Sequence, residues 1–364
     1  MGLRCGIVGL PNVGKSTLFN ALTKASVAAE NYPFCTLEPN VGVVPVPDPR
    51  LARIAAIAGA ERVVAATVEF VDIAGLVAGA SRGEGLGNRF LAHIREVDAI
   101  VHVVRAFDDP DVAHVAGRVD PVSDIETVHT ELALADLQTI ERQLAKHEKP
   151  AQTGRAKEAQ RRVAVLKKAQ AALDVGRPAR ALDWAAEERA LLEPLCLLTM
   201  KPTLYVANVA EHGFCDNPRL AEIERRAAAE GAQAVAICAV LEAQIADLAP
   251  DEQRAFLAPL GLSEPGLARL VHAAYALLGL QTFFTAGPKE ARAWQLRAGR
   301  TAVEAAGTIH SDFARGFIRA EVIAYEDYLA CGGEQGAKEA GKMRLEGRDY
   351  VVRDGDVIRF RFNV

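Results

Sequence analysis

Short hydrophobic runs recur along the first two-thirds of the chain and alternate with longer stretches of mixed polarity. The clearest runs occupy positions 4–8, 67–71, 99–105, 202–207 and 235–238. A short, mostly apolar run of this length is typical of a strand that is buried in a sheet. With another strand predicted at 41–46 and helical stretches in between, the pattern predicts a fold of the α/β class.

A helical pattern takes over between about 131 and 200. Hydrophobic residues fall on one face of each of two predicted helices: Leu137, Ile140 and Leu144 in the first, and Val163, Leu166 and Leu173 in the second. If these helices are joined near 149–154, they form an antiparallel hairpin, which we describe as a coiled-coil arm. Helices are predicted again over 242–278.

Beyond position 280 the pattern changes to alternating hydrophobic and polar residues. Such runs occur at 281–285, 307–313, 316–320 and 350–362, and the Asp354-Gly355 pair in the last of them predicts the turn of a β-hairpin. We therefore expect 281–364 to be a small strand-rich domain with one or two helices. Its polar residues His310, Arg319, Arg359 and Arg361 are expected at the surface and favour a binding role.

The residues that follow the first predicted strand, Gly9 to Thr17, read G-L-P-N-V-G-K-S-T and match the phosphate-binding pattern G-x-x-x-x-G-K-S. Small residues let successive backbone N–H groups curl around phosphate oxygens, and the helix that follows points its positive end at the same anion. Lys15 can reach the outer phosphates, and Ser16 can hold Mg²⁺. We assign nucleotide binding in this loop to Asn12, Val13, Gly14, Lys15, Ser16 and Thr17.

Two further segments have the features of nucleotide-sensing switches. The segment 31–40 is rich in proline and polar residues, so we expect a loop in which Thr36 senses Mg²⁺ and the terminal phosphate. The strand predicted at 67–71 ends in a D-x-x-G pattern, in which Asp72 can hold Mg²⁺ and the amide of Gly75 can contact the terminal phosphate. The predicted metal ligands are therefore Ser16, Thr36 and Asp72, with Asp72 acting through water.

Two positions depart from the usual GTPase pattern. Residue 76 is Leu, where many GTPases have a Gln that orients the attacking water; either hydrolysis is slow or another residue supplies the polar contact. The segment Asn208-Val209-Ala210-Glu211 stands where GTPases read N-K-x-D, without the Lys and Asp that recognise guanine. Without this Asp, the N–H groups of guanine lose their hydrogen-bond acceptor, and unpaired polar groups cost binding free energy. The sequence therefore argues against strict GTP specificity and allows ATP, with Asn208 still able to bond a purine edge.

The composition of the chain indicates its cellular compartment and a possible class of partner. The chain has 364 residues, a net charge of −5 and six scattered cysteines without a C-x-x-C pair, so we expect a reduced cytoplasmic protein. The apolar run 267–284 contains Arg269 and His272, and we interpret it as a buried helix rather than a membrane span. From Arg142 to Lys168 nine basic residues stand against two acidic ones. This local net charge of +7 is either a solvated helix face or a contact for RNA or another polyanion.

The motifs together closely resemble the YchF/Obg-like ATPase family of translation-factor-related P-loop proteins. The residues that carry the resemblance lie at 9–17, 31–40, 72–88, 208–211, 281–294 and 333–343. The resemblance implies three regions: a P-loop nucleotide-binding domain of Obg type at 1–130 and 200–280, an inserted helical coiled-coil arm at 131–199, and a C-terminal TGS domain with a β-grasp fold at 281–364.

The resemblance also implies an activity and a partner. Members of the family hydrolyse ATP in preference to GTP and have a hydrophobic residue in place of the catalytic Gln, as Leu76 is here. Their candidate substitute is a His in a mobile loop, and His114 stands at that place. Members associate with ribosomes and are linked to translation and stress responses. Asn12 also fits relatives that use K⁺.

We therefore expect a Mg²⁺-dependent ATPase that acts as a molecular switch with a slow basal rate, and we assign catalysis to His114 and Gly75. The expected partner is the ribosome, through both subunits or the large one, with ribosomal RNA bound by the basic arm and the TGS domain; we expect no membrane and no DNA partner. Two alternatives stay open. One is a GTPase of ordinary guanine specificity, and the other is a nucleotide-gated RNA- or ribosome-binding module in which turnover is incidental.

Overall fold

The computed structural model describes residues 3–27, 40–73, 75, 86–152 and 157–363. These residues divide into two compact units. The first unit contains 3–25, 40–42 and 69–270, and the second contains 26–27, 43–68 and 271–363. The segment 43–68 therefore belongs to the same unit as the C-terminal part of the chain, although in sequence it lies between the two predicted switch segments.

Two sheets contain the strands. The strands are β1 (Arg4–Val8), β2 (Val41–Pro45), β3 (Arg62–Val64), β4 (Thr67–Asp72), β5 (Ala99–Arg105), β6 (Thr203–Asn208), β7 (Gln233–Ile237), β8 (Leu280–Ala286), β9 (Glu290–Arg297), β10 (Phe317–Ile323), β11 (Arg344–Glu346) and β12 (Val357–Phe362). The first sheet has the order β2-β4-β1-β5-β6-β7, and the second has the order β11-β10-β12-β8-β9-β3.

Helices connect the strands in both units. The helices are α1 (Lys15–Val27), α2 (Pro49–Ala58), α3 (Leu86–Glu96), α4 (Pro121–Gln152), α5 (Lys157–Asp174), α6 (Ala186–Leu192), α7 (Pro218–Ala229), α8 (Ala239–Ile245), α9 (Pro250–Leu257), α10 (Gly266–Leu277), α11 (Ala302–Ile309), α12 (Ser311–Arg315), α13 (Tyr325–Ala330) and α14 (Glu334–Glu339). Short 3₁₀ helices occupy Ala179–Ala181, Glu193–Leu195, Leu198–Met200 and Ala258–Leu260. In the described part of the chain, none of the helices has the length and hydrophobicity needed to span a bilayer.

The first sheet is parallel through its centre, where β1 pairs with β4 and β5, and β6 pairs with β5 and β7. Every residue of β5 is buried, which explains why the sequence at this place is mostly apolar. The predicted strands of the α/β region are thus confirmed, and the loop from β1 to α1 opens at the carboxyl edge of the sheet, where ligands of such sheets bind.

Two long helices, α4 and α5, follow β5 as the sequence predicted. Their hydrophobic faces meet in one cluster that contains Ile140, Leu144, Leu166 and Leu173. Asp136 of α4 fixes the returning chain, because its carboxylate accepts hydrogen bonds from the backbone N–H groups of Leu198 and Thr199, both at 2.8 Å, and from the hydroxyl of Thr199. Asp136 is 1% exposed, so these bonds are protected from water.

A buried polar network joins β6 to three neighbouring elements of the first unit. The Tyr205 hydroxyl donates to Glu230 at 2.8 Å and lies 2.9 Å from Nε2 of His129, which therefore donates to it. Glu230 also accepts from Arg180, of the 3₁₀ helix that follows α5, at 2.7 Å. Burial lowers the pKa of His129 to about 4, against the opposing charge of Glu230. The ring is therefore neutral around pH 7.

The second sheet corrects two predictions for the C-terminal part. Residues 307–313 lie in α11 and α12 and not in a strand, because Thr301 and Glu304 form a capping box in which Glu304 accepts from the backbone of Thr301 at 2.8 Å. The predicted hairpin around Asp354-Gly355 is also wrong. Strand β12 pairs with β10 and β8 instead, and Val351 makes an isolated bridge with Thr301.

The segment 43–68 supplies α2 and the edge strand β3 to the second unit. β3 pairs in parallel with β9, with Arg62 opposite Glu290, and Leu51 and Ile54 of α2 are buried. Arg50 strengthens this attachment, since its guanidinium donates to Asp48 at 2.8 Å and to Asp354 at 2.7 Å. Pairing over more than two hundred residues of sequence is a tertiary feature that no local pattern indicates.

Candidate functional site

The P-loop has the backbone geometry of an anion-binding turn. Asn12 and Gly14 have positive φ angles of 61° and 96°, in the region where glycine is favoured. A Cβ atom on Gly14 would collide with Nδ2 of Asn208, so the second glycine of the motif is required both by its backbone angle and by space. α1 begins directly after it at Lys15, which points the helix N-terminus at the loop.

Lys15 lies across the P-loop. Its ammonium donates to the carbonyl oxygen of Leu10 at 2.7 Å, and the residue is 7% exposed. Burial lowers the pKa of Lys15 to about 8, and the nearby Asp72 opposes this shift. A cation held in this way is positioned for phosphate oxygens, since a phosphate group can take over the hydrogen bond now made to Leu10.

Ser16, Asp72 and Gly75 gather around the same loop. The Ser16 hydroxyl donates to Oδ2 of Asp72 at 3.3 Å, while Oδ1 of Asp72 is buried and has no hydrogen-bond partner in the described part of the chain. Burial raises the pKa of Asp72, opposed by the Ser16 hydrogen bond and the charge of Lys15. A carboxylate with a free oxygen beside a hydroxyl is the oxygen-rich donor set that Mg²⁺ prefers.

Gly75 approaches the loop closely. A Cβ atom at this position would lie 3.1 Å from Nζ of Lys15 and 3.2 Å from the backbone nitrogen of Pro11. A larger residue would therefore press on both groups, and the D-x-x-G pattern reflects this lack of space. Thr17 is exposed at the start of α1, whereas Thr36 and Leu76 lie outside the described residues.

The segment at the end of β6 shows what Asn208 does in the fold. Its Nδ2 donates to the carbonyl of Val13 at 2.9 Å, and its Oδ1 accepts from the N–H of Ala239 at 3.1 Å. The side chain thus ties the P-loop to the start of α8 and uses both ends of its amide on the backbone. Val209 is buried, whereas Ala210 and Glu211 are exposed, so Glu211 is the polar side chain of this segment that is accessible from solvent.

His114 lies in the loop between β5 and α4, close in space to the P-loop. The side-chain amide of Asn12 donates to the carbonyl of Ala113 at 3.1 Å. Nε2 of His114 is 2.9 Å from Asp124 of α4, and Nδ1 accepts from the N–H of Ala116 at 3.1 Å. Because Nδ1 is an acceptor, the proton is on Nε2 and is donated to Asp124. Burial raises the pKa of Asp124, opposed by the hydrogen bond and charge of His114.

Arg105 is a residue of this region that sequence reasoning missed. It lies at the end of β5, is 2% exposed, and donates to three backbone carbonyls of the loop that follows: Phe107 at 3.1 Å, Val112 at 2.9 Å and Asp109 at 3.2 Å. Its guanidinium also lies over the Phe107 ring. The available signal was a charged residue ending a run of six apolar or aromatic ones, which is unusual in a buried strand.

Comparison with known families divides the chain into two matched regions. Residues 4–151 match the family MMR_HSR1, described as a 50S ribosome-binding GTPase. Residues 280–363 match the family YchF-GTPase_C, described as a protein of unknown function.

Known proteins align with the chain over its full length. A Haemophilus influenzae protein named ribosome-binding ATPase YchF is 58% identical over 364 residues, and a Bacillus subtilis protein of the same name is 54% identical over 367 residues; each alignment covers 100% of both chains. The structure of the Schizosaccharomyces pombe YchF GTPase has a TM-score of 0.90 at 34% identity and covers 99% of this chain and 98% of its own.

Proposed function

The chain belongs to the YchF family, and from this membership and the geometry of the P-loop we propose that it hydrolyses ATP to ADP and phosphate as a nucleotide-driven switch. The observation that carries the proposal is the group formed by Lys15, Ser16, Asp72 and Gly75 around one phosphate-binding loop. Relatives that align with the chain over their full length and are named ribosome-binding ATPases support the same function.

Each residue of the group has one role in this proposal. The N–H groups of the P-loop cradle the phosphates, Lys15 neutralises the charge of the outer ones, and Gly75 contacts the terminal phosphate through its amide. Ser16 and Asp72 would hold Mg²⁺, with Thr36 as the third ligand on the sequence argument alone. Mg²⁺ bound there would neutralise charge on the phosphate oxygens during phosphoryl transfer. A requirement for K⁺, suggested by Asn12, is tested by comparing turnover in KCl and NaCl.

We assign the orientation of the attacking water to His114, because Leu76 has no polar group for this task. The support is the short link between the P-loop and the His114 loop, made by Asn12 and Ala113. His114→Ala should reduce turnover with little change in the affinity for ATP. Full turnover by this variant would remove His114 from the mechanism.

The second candidate is a GTPase, which the name of the Schizosaccharomyces pombe relative favours. The base is read by the segment 208–211 in both candidates, through its backbone and Glu211. Titration calorimetry with ATP and GTP in the presence of Mg²⁺ decides between them, with Lys15→Ala as the non-binding control. ATP binding tighter by about tenfold, or about 1.4 kcal/mol, supports the ATPase, and tighter GTP binding refutes it.

We propose the ribosome as partner and ribosomal RNA as the contacted polymer, bound by a helical arm formed by α4 and α5 and by a TGS domain at 281–364. In this division the arm is 131–199 and the Obg-type P-loop domain is 1–130 with 200–280. Lys157, Arg161 and Arg162 lie on α5. Reversing their charge should weaken ribosome binding and reduce its dependence on salt. Lys157→Glu alone should have part of this effect, whereas the matched single reversal Arg225→Glu on α7 should leave both unchanged.

An assay of biological activity tests the remaining possibility, a ribosome-binding module in which turnover is incidental. If a variant that binds ATP but does not hydrolyse it keeps full biological activity, while Lys15→Ala loses it, nucleotide binding alone drives the switch.

A further inference from the structure

Both ring nitrogens of His114 form hydrogen bonds in this structure. We propose that Asp124 is a positioning residue that restrains His114, so that the slow step of basal hydrolysis is the release of the imidazole from Asp124. The proposal rests on the role assigned to His114 under the proposed function and adds the regulation of that site.

The first observation is the environment of the ring. Nε2 donates to Asp124 and Nδ1 accepts from Ala116, so both nitrogens are used. The side chains of His114 and Asp124 are 4% and 5% exposed. A histidine that orients a water molecule needs one ring nitrogen directed at that water. The observed arrangement cannot meet this need until one of the two hydrogen bonds is broken.

The second observation is that the backbone around His114 is fixed. Arg105 binds the carbonyls of Phe107, Asp109 and Val112, and Asn12 binds that of Ala113. Four carbonyls in a stretch of seven residues are therefore anchored by buried or P-loop side chains. Release of His114 then takes the form of a rotation of its side chain rather than an opening of the whole loop.

Of the two hydrogen bonds, the one to Asp124 is the stronger restraint. Its acceptor is ionised, and charge-assisted hydrogen bonds are roughly twice as strong as neutral ones. When the imidazole leaves, a carboxylate that is almost completely enclosed loses its partner, which adds to the cost of release. A partner that stimulates hydrolysis would act by stabilising the released ring.

The test is the basal ATP turnover of Asp124→Asn, which keeps the shape of the side chain and removes its charge. We expect kcat to rise about fivefold with little change in KM, corresponding to about 1 kcal/mol of weaker restraint. Asp111→Asn removes the same charge from an exposed site in the same loop and should leave kcat unchanged. A decrease or no change in kcat for a folded Asp124→Asn protein overturns the proposal.

His114→Ala and the double variant separate this proposal from the function it rests on. If His114→Ala lowers turnover and cancels the gain from Asp124→Asn, both stand. If His114→Ala lowers turnover but Asp124→Asn gives no gain, only the restraint is wrong. If His114→Ala has no effect, the catalytic assignment itself fails.

A spectroscopic measurement on the unaltered protein covers the case in which Asp124→Asn does not fold. In nitrogen-labelled nucleotide-free protein, with the His114 signal assigned from His114→Gln, the ring should carry its proton on Nε2 and exchange it slowly with water. A ring protonated on Nδ1, or one that exchanges freely, overturns the restraint.

Discussion

Replacing Asn208 by alanine distinguishes a residue that reads the base from one that holds the P-loop. The amide is 6% exposed, and Asn208→Ala leaves the Val13 carbonyl and the Ala239 N–H without the partners that they have at 2.9 and 3.1 Å. A buried hydrogen bond contributes about 1 kcal/mol, and an orphaned buried group costs about 1–3 kcal/mol. We therefore expect the free energy of unfolding to fall by about 2–4 kcal/mol.

The effect on nucleotide binding follows from the same two bonds. In the variant, nucleotide binding has to restore the P-loop conformation that Asn208 otherwise holds. If this restoration takes about 1.4 kcal/mol of the binding free energy, ATP and GTP each bind about tenfold more weakly. The ratio of their dissociation constants stays the same, because the loop contacts phosphates and not bases. Titration calorimetry gives both constants, and unfolding in urea gives the stability on the same protein.

Tyr275→Phe is the matched control. The Tyr275 hydroxyl donates to the carbonyl of Gln281 at 3.0 Å and lies 2.9 Å from the hydroxyl of Thr282, so its loss lowers stability by about 1–2 kcal/mol without touching the P-loop or the segment 208–211. Nucleotide affinities of the control should be those of the unaltered protein. The reasoning is refuted if Asn208→Ala changes the ATP-to-GTP ratio by more than about tenfold, since Asn208 would then read the base.

Three further changes test other parts of the structure. Asp136→Asn turns a donor toward a backbone N–H group of the 3₁₀ helix at 198–200, so we expect a loss of about 3 kcal/mol in urea unfolding. Stability should fall as the pH drops from about 6.5 to 4, because the unfolded state binds the proton that folded His129, with its pKa of about 4, does not; His129→Gln should flatten this slope by up to about 1.4 kcal/mol per pH unit. Gly316→Ala places a Cβ atom against the backbone carbonyl of Asn363 and should cost about 1–3 kcal/mol, seen as faster amide exchange at the end of β12.

The part of the fold that the sequence predicted is the part encoded locally. The G-x-x-x-x-G-K-S pattern determines its own strand, loop and helix, and β5 and β6 are mostly apolar because both faces are covered. The helix α11 also has a local signal, since Thr301 and Glu304 form a T-x-x-E capping pattern, but the alternating residues around it resemble a strand.

The remaining features depend on contacts that are distant in sequence. The sequence near Arg62 gives no indication that β3 pairs with β9. The turn at Asp354 does not join two strands of a hairpin, and the Asp354 carboxylate instead accepts a hydrogen bond from the N–H of Thr282 at 2.9 Å. The candidate site shows the same division. Lys15, Ser16 and Asp72 were predicted from motifs, whereas the hydrogen bond between His114 and Asp124 was found only in the structure.

The attachment of α2 and β3 to the second sheet has a consequence for dissecting the gene. The C-terminal family match begins at residue 280, and a fragment expressed from there would lack both elements. Strand β9, of eight residues, would become an open edge able to pair with another molecule, and the fragment would lose α2 with its buried residues Leu51 and Ile54. The second unit is thus compact in structure but discontinuous in sequence, and a version expressed alone has to carry residues 43–68 as well, for example joined to it by a linker.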